Sequence, residues 1–472
     1  MRELVLVHRW LGVACCLLFA MWFGSGIVMH FVPFPALTEA ERIAGLAEID
    51  PAKARHGPSD AVRASGVHDA IRARLLARAD GLVYLVQGAA DTRAISAADL
   101  SPAGIQSERV ALAIALDQAR HRGMDVASAT LVERADYDQW TVSNGLDPHR
   151  PLYRVALNDE PGTELYVSSS TGEVVRDTTR SERRWNYAGS VAHWIYPTAL
   201  RRNWRAWDAT VWALSLVALI TAIAGALLGP LRINVAHGRV VSPYRGWHAW
   251  HHWLGLACMT FVLTWIFSGW LSMDHGRLFS TGMPTAGESA TWANATAWEK
   301  LSAAEIGQLP AQAREIEWFA FDGRIYRRDR LGLTAQNLSL AGNAPAPERA
   351  FLTADEVSAA ARRLATDCGT ANAVPATDDY PIASTMPRAP VYRIVCGDAW
   401  FHVDGASGAM LEKLDASRRA YRWVYSALHT LDFPALAARP LLRTTVIVAL
   451  CGCGLAFSLT AIVIGWRRLR RG

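Results

Sequence analysis

The sequence predicts a membrane protein with four transmembrane helices, made by internal duplication, and two α+β domains outside the bilayer. Three observations carry that expectation. Four apolar stretches, Leu4 to Met29, Asp208 to Leu231, Trp250 to Met273 and Leu441 to Trp466, each approach the ~20 residues that cross a hydrocarbon core. The start of the chain recurs in its middle: placing His8 on His251 aligns Trp10 with Trp253, Gly12 with Gly255, Cys15 with Cys258, Trp22 with Trp265, Ser25 with Ser268 and Gly26 with Gly269. Two long polar segments separate the apolar stretches in pairs. At 472 residues and 51% hydrophobic, the chain is too long and too apolar for one soluble core.

The elements follow in order. Residues 1–30 form the first spanning helix, whose apolar part exceeds the ~7–15 residues of a signal-peptide core, so it reads as a retained anchor. Residues 31–207 form the first external domain. Within it Gly81 to Gln87 reads as a strand, Ser107 to Arg122 as a helix, and Thr130 to Arg134, Trp140 to Ser143, Tyr153 to Leu157 and Glu164 to Ser168 as short strands. The second span is 208–231, a basic link covers 232–249, and the third span is 250–273. The second external domain, 274–440, repeats the earlier order. Glu315 to Tyr326 is a hairpin turning at Asp322 and Gly323, and Thr353 to Leu364 is a helix opened by a capping box of Thr353 and Glu356. The fourth span is 441–466, followed by a basic tail, 467–472. Arg2, Arg9, Arg232, Arg239, Arg245, Arg467, Arg468, Arg470 and Arg471 flank the spans on one side. That asymmetry places both termini and the link in the cytoplasm and the two large domains outside. The net charge of +5 is mostly this orientation signal and gives no reason to expect nucleic acid as a partner; membrane lipid is the expected surroundings.

Cys15, Cys16, Cys258, Cys451 and Cys453 sit in spans and read as packing residues. Cys368 and Cys396 lie in the second external domain, an oxidising place under this topology, and are expected to form a disulfide. There is no CxxC or CxxCH motif, no Walker A sequence, no HExxH, and no GxGxxG following a strand.

The histidines carry the chemistry. NYAGSVAHWIYP before the second span parallels WVYSALHTLDFP before the fourth, so His193 matches His429 as His8 matches His251. One interfacial histidine is more often a polar anchor than a ligand. Two duplicated pairs at opposite depths are what a symmetric bundle needs to offer two axial imidazoles to each of two haems. The expected cofactors are therefore two b-type haems, with His8, His251, His193 and His429 on the irons. His252 is a rival to His251, and His248 has no counterpart in the first copy. His30 shares a helix face with His8, ~33 Å along an ideal helix. With His275, Met29, Met273 and Met283, it offers a second, weaker set suited to haem or copper. Most of the 19 tryptophans fall near span ends, as an aromatic belt does. Ser25–Gly26 and Ser268–Gly269 read first as small residues permitting close helix approach, and second as room for a macrocycle.

HRWLG at His8 to Gly12, FGSGIVMHFVPFPALTEAER after it, SPYRGWHAWHHWLG leading to WIFSGWLSMD, and LHTLDFPALAARP followed by IVIGWRR resemble the PepSY-associated transmembrane proteins. YRV and TGEVV at Tyr153 and Thr171, with YRI and SGAML at Tyr392 and Ser407, look like PepSY modules. The resemblance implies a bacterial inner-membrane protein with periplasmic PepSY-like domains and, in its siderophore-linked ferric reductase members, haem on membrane histidines. The function so implied is electron transfer to a periplasmic ferric chelate, such as a ferric siderophore, by an oxidoreductase fed from the quinol pool or a partner. PepSY modules elsewhere are associated with protease inhibition or protein interaction. A non-catalytic membrane protein that binds or inhibits a periplasmic partner is thus an alternative, and a copper-handling accessory protein is another.

Overall fold

The computed structural model describes the chain except residues 90, 237–238, 275, 295–297, 302–304, 306–308, 311, 343–348 and 471–472. The expected candidate His275 lies outside the described residues. Four helices are long and apolar enough to cross a membrane: Arg2–Phe31, Trp204–Leu231, Trp247–Leu271 and Pro440–Leu469. This is a membrane protein with soluble α+β structure.

The chain divides into two compact units. One comprises Met1–Phe34, Ser181–Thr281 and Ser417–Gly472 and holds the four helices. Each helix packs on two neighbours, the first and third touching both the second and the fourth. The duplicated helices therefore stand diagonally opposite, and residues from equivalent positions face each other across the bundle axis. Two short segments ahead of the second and fourth spans belong to this unit as well. Both contain a π-helical turn, Tyr187–Val191 and Arg422–Ala427, immediately before His193 and His429. Such wide turns recur at functional sites because they swing a side chain off the regular helical face.

The other unit comprises Pro35–Arg180 and Gly282–Ala416. Strands are numbered along the chain: β1 Arg72–Arg78, β2 Gly81–Gln87, β3 Thr92–Ser96, β4 Thr130–Ala135, β5 Leu152–Ala156, β6 Glu164–Ser168 and β7 Val174–Thr178. In the link, β8 Asn234–Ala236 and β9 Arg239–Val241 form a ribbon. There follow β10 Glu315–Phe321, β11 Arg324–Arg330, β12 Gln336–Leu340, β13 Asn372–Ala373, β14 Val391–Cys396, β15 Ala399–Asp404 and β16 Met410–Leu414. Two antiparallel sheets, β4-β5-β6-β7 and β13-β14-β15-β16, are the two copies of one module. The helix Glu108–His121 packs on the first and the helix Ala354–Leu364 on the second. In the second copy Cys368 and Cys396 are joined, tying the chain beyond the helix to the end of β14.

Separate external domains were expected from the two segments, but a third sheet joins them. Its order is β12-β11-β10-β1-β2-β3, and β1 pairs antiparallel with β10. The interval from Arg72 to Glu315 equals that from His8 to His251, so β1 and β10 are copies of one strand, paired across a pseudo-two-fold axis. One face of this sheet is apolar, with Leu75, Tyr84, Ile316 and Trp318 fully buried. The other face is buried and charged. Equivalent positions there carry opposite signs: Arg72 answers Glu315 and Arg74 answers Glu317. Arg72 pairs with Glu317 at 2.7 Å and Arg74 with Glu315 at 3.1 Å. Arg42 adds a 2.7 Å contact to Glu315, and Glu173 binds Arg74 at 2.7 Å. Both seam glutamates are 0% exposed, and the neighbouring arginines hold the Glu315 carboxyl well below the usual range despite its burial. Copies with identical charges would face like with like, so divergence in sign is what lets the two strands pair.

A second departure is local. Trp140–Ser143, expected as a strand, is a turn, because Asp138 Oδ1 accepts from the backbone N–H of Trp140 and Thr141 at 2.9 Å each and from the Thr141 hydroxyl at 2.8 Å. A carboxylate that bonds the following N–H groups offers the backbone an alternative to a sheet ladder. The 315–330 hairpin has the expected turn, with Asp322 and Gly323 at φ of 52° and 71°. The capping box at Thr353 and Glu356 is present. It also has a charged reinforcement, since Arg349 contacts Glu356 at 2.5 and 2.7 Å and the Tyr326 hydroxyl donates to it at 3.0 Å. Burial pushes the Glu356 carboxyl up, but hydrogen bonds from Arg349, the Thr353 N–H and Tyr326, with the Arg349 charge, outweigh it and hold the group down at about 2. A free glutamate titrates at about 4.3. The stabilisation is therefore complete above about pH 4.3 and disappears as the pH falls toward 2. Glu356→Gln is expected to flatten the acid side of the stability profile between pH 5 and 2. An unchanged acid slope in pH-dependent melting would contradict this assignment.

Candidate functional site

The site lies in the helix bundle and has two parts. At the end that carries both chain termini, His8 of the first helix meets His251 of the third. Their ring centres are 6.3 Å apart and the planes inclined by 39°. At the other end, His193 and His429, each just past its π-helical turn, meet with ring centres again 6.3 Å apart and planes at 63°. The two depths are separated by the seventeen residues from His8 to Ser25, on the order of 25 Å of helix. The four histidines singled out by duplication are thus brought together in two equivalent pairs.

Each ring is held through one nitrogen. His8 Nδ1 lies 3.2 Å from the Thr221 carbonyl, His251 Nδ1 3.0 Å from Thr460 Oγ1, His193 Nδ1 3.0 Å from Ser25 Oγ, and His429 Nδ1 3.1 Å from Ser268 Oγ. Each hydroxyl also has a carbonyl of its own helix in reach, which bears on the direction of these bonds. A hydroxyl has one hydrogen to give, and each of these hydroxyls gives it to a carbonyl one turn back in its own helix: Ser25 to Trp22 at 3.3 Å, Ser268 to Trp265 at 3.1 Å and Thr460 to Phe457 at 2.6 Å. The Thr221 carbonyl can only accept. Nδ1 of His8 is therefore a donor, and at His193, His251 and His429 a hydroxyl that gives its hydrogen to its own helix carbonyl accepts from Nδ1 in the same way, the tautomer in which Nε2 keeps its lone pair. Neutral imidazole with a bare Nε2 is the form that binds a metal.

The surroundings fix the rings further. His251 stacks on Phe457 at 4.6 Å, and Tyr425 stacks on His429 at 5.7 Å. Gly225 lies one turn beyond Thr221, and a Cβ there would come within 2.7 Å of His8 Cε1. Only glycine lets that ring lie against the second helix. Between the pairs, Phe19, Phe23, Cys15, Cys258, Val262 and Ile266 form an apolar core with Trp22, Phe261 and Trp265 at its margin. A cleft of about 630 Å³ opens beside His8 and His251 and is bordered by Arg9, Arg232, Arg245, Arg467 and Arg468.

A family model described as the PepSY-associated TM region matches residues 5–468, nearly the whole length. The chain belongs to that family. No curated protein matches it.

In this PepSY-associated TM protein the remaining histidines fall into other places. His252 is buried and uses both nitrogens, Nε2 toward the Gly229 carbonyl at 2.9 Å and Nδ1 toward Ser242 Oγ at 2.8 Å. The carbonyl takes the Nε2 hydrogen and the hydroxyl takes the Nδ1 lone pair, so His252 pins the link to the second helix and has no nitrogen left for a metal. His248 borders the cleft. His30 sits in the last turn of the first helix with Nε2 2.9 Å from Thr444 Oγ1. No group of three or more His, Cys, Asp or Glu side chains suited to a metal ion occurs among the described residues. Ser25, Ser268, Thr221 and Thr460 are the participants that sequence reasoning missed as partners of the histidines. The serines were legible only as duplicated small residues that permit close helix approach or leave room for a macrocycle.

Proposed function

We propose that this protein is a di-haem oxidoreductase that carries electrons across a bacterial inner membrane and delivers them to a ferric chelate, a ferric siderophore in particular, in the periplasm. The observation that carries the reading is the assembly of four duplicated histidines into two pairs of equal spacing, each ring held through Nδ1. Two imidazoles that would hold one iron between them through Nε2, at bonds of about 2 Å, would need ring centres on the order of 6 Å apart. The 6.3 Å separations fit that requirement at both depths.

The cleft at the inner pair is within the range of cofactor sites, and its arginines complement the two carboxylates of a haem. His8 and His251 would hold one b-type haem and His193 and His429 the other. Haem so bound supplies reversible one-electron chemistry at iron. The residues of the chain do the rest. Ser25, Ser268, Thr460 and the Thr221 carbonyl hold each ring proton at Nδ1, Phe457 and Tyr425 set ring planes, and the apolar core between the pairs keeps water from the path. Arginines on the termini side support a cytoplasmic position for it, where a quinol or a reduced partner would deliver electrons. Reducing iron(III) to iron(II) weakens its hold on hard oxygen ligands, so one electron releases the metal. The soluble unit is then available to bind the chelate or a partner that presents it.

The test is an absorption spectrum of the purified full-length protein from haem-replete cells, before and after dithionite. Two haems per chain, reoxidised on mixing with a ferric hydroxamate, are expected. A colourless preparation removes this reading and favours a non-catalytic PepSY binding protein. Haem that stays reduced in the presence of the chelate removes the ferric acceptor.

A further inference from the structure

The buried hydroxyls of the bundle have a use that membrane packing does not require. Ser25, Ser268 and Thr460 are 4%, 0% and 4% exposed, polar groups inside apolar helices. Each is already satisfied by its own helix carbonyl. A serine in that state needs no further partner, yet each has a histidine Nδ1 within 3.1 Å. The two serines occupy duplicated positions and serve the two members of one pair. Thr460 and the Thr221 carbonyl serve the other. No hydroxyl is shared between pairs.

We infer that Ser25 and Ser268 tune the reduction potential of the haem between His193 and His429, and that Thr460 independently tunes the one between His8 and His251. The inference rests on the haem reading above. Its physical basis is the bond direction. A ring that donates from Nδ1 to a neighbouring oxygen is richer in electrons at Nε2, and an electron-rich ligand stabilises ferric over ferrous iron. An oxygen whose own hydrogen is committed to a carbonyl is a stronger acceptor, because bonds in a chain polarise one another. Each hydroxyl therefore lowers the midpoint potential of its own haem, and its removal raises it. These are positioning residues acting through the histidines. A helix-packing role alone would leave the potentials where they are.

The experiment is a redox titration of the full-length protein, followed in the haem α bands, for wild type, Ser25→Ala, Ser268→Ala, Ser25→Thr and Thr460→Val. Wild type is expected to titrate in two components. Ser25→Ala and Ser268→Ala should each raise the midpoint of the same component and leave the other in place. Thr460→Val should raise the other component alone, and Ser25→Thr should keep the wild-type midpoints. If wild type holds two haems and neither the alanine nor the valine variants move a midpoint, the inference falls while the haem reading stands. A wild type without haem overturns the haem reading first. Should Ser25→Ala lose a haem, the threonine variant decides. Haem kept with threonine supports the hydroxyl, and haem lost with both assigns the position to size and overturns the inference.

Discussion

Replacing His251 with alanine is expected, on the di-haem reading proposed above, to leave one haem per chain, and His429→Ala to leave the other one. In each pair the two rings come from copies of the same sequence element, and alanine at either position would remove one of the two imidazoles that would hold the haem iron. Electron transfer across the membrane should be abolished in both variants, because each interrupts a series of two. His252→Ala is the internal control. Adjacent residues on a helix point about 100° apart, and His252 spends both nitrogens on Ser242 and Gly229. That variant should retain two haems and lose only the anchoring of the link. Haem content by pyridine haemochromogen, with optical resolution of the two components, reads all three. Two haems retained in His251→Ala, together with one lost in His252→Ala, would reverse the ligand assignment.

The second large effect is expected far from the histidines, at the seam between β1 and β10. Glu315→Gln removes the fully buried anion that Arg42 and Arg74 face at 2.7 and 3.1 Å. Breaking a buried ion pair by removing one partner costs about 3–5 kcal/mol, because the remaining charge is left desolvated. Arg74→Leu should be comparably costly. The Arg74→Leu/Glu315→Leu double variant should cost less than the sum of the two single changes, since it leaves fewer uncompensated charges at the seam. Thermal melting and limited proteolysis of the detergent-solubilised chain measure this. A Glu315→Gln protein that melts with wild type would show the seam charges to be incidental. The expected loss also has a topological meaning. The two soluble segments share one sheet, so weakening β1 against β10 loosens both at once.

Much of this protein was legible in the sequence, for reasons that can be named. The spans follow from hydropathy, which is a property of each segment alone. The hairpin at Asp322–Gly323 and the capping box at Thr353–Glu356 are local chemistry, decided within a few residues. The two histidine pairs were legible because duplication supplies long-range information: if one half places a histidine on the bundle axis, so does the other. The 140–143 segment was misread because alternation of residue types does not reveal that Asp138 competes for its backbone.

What the sequence by itself determined is therefore the list of elements, the two-fold repetition and the identity of the paired histidines. Three matters were decided only by the tertiary structure. β1 seeks β10 as well as its own hairpin partner, since a strand's edge carries no address until opposite charges on Arg72, Arg74, Glu315 and Glu317 are brought face to face. His252 is excluded as a ligand by a carbonyl and a hydroxyl that reach it from the second helix and the link. The serines meet their histidines because a hydroxyl's hydrogen bonds have direction, and direction toward a histidine more than a hundred residues away exists only once the helices have packed.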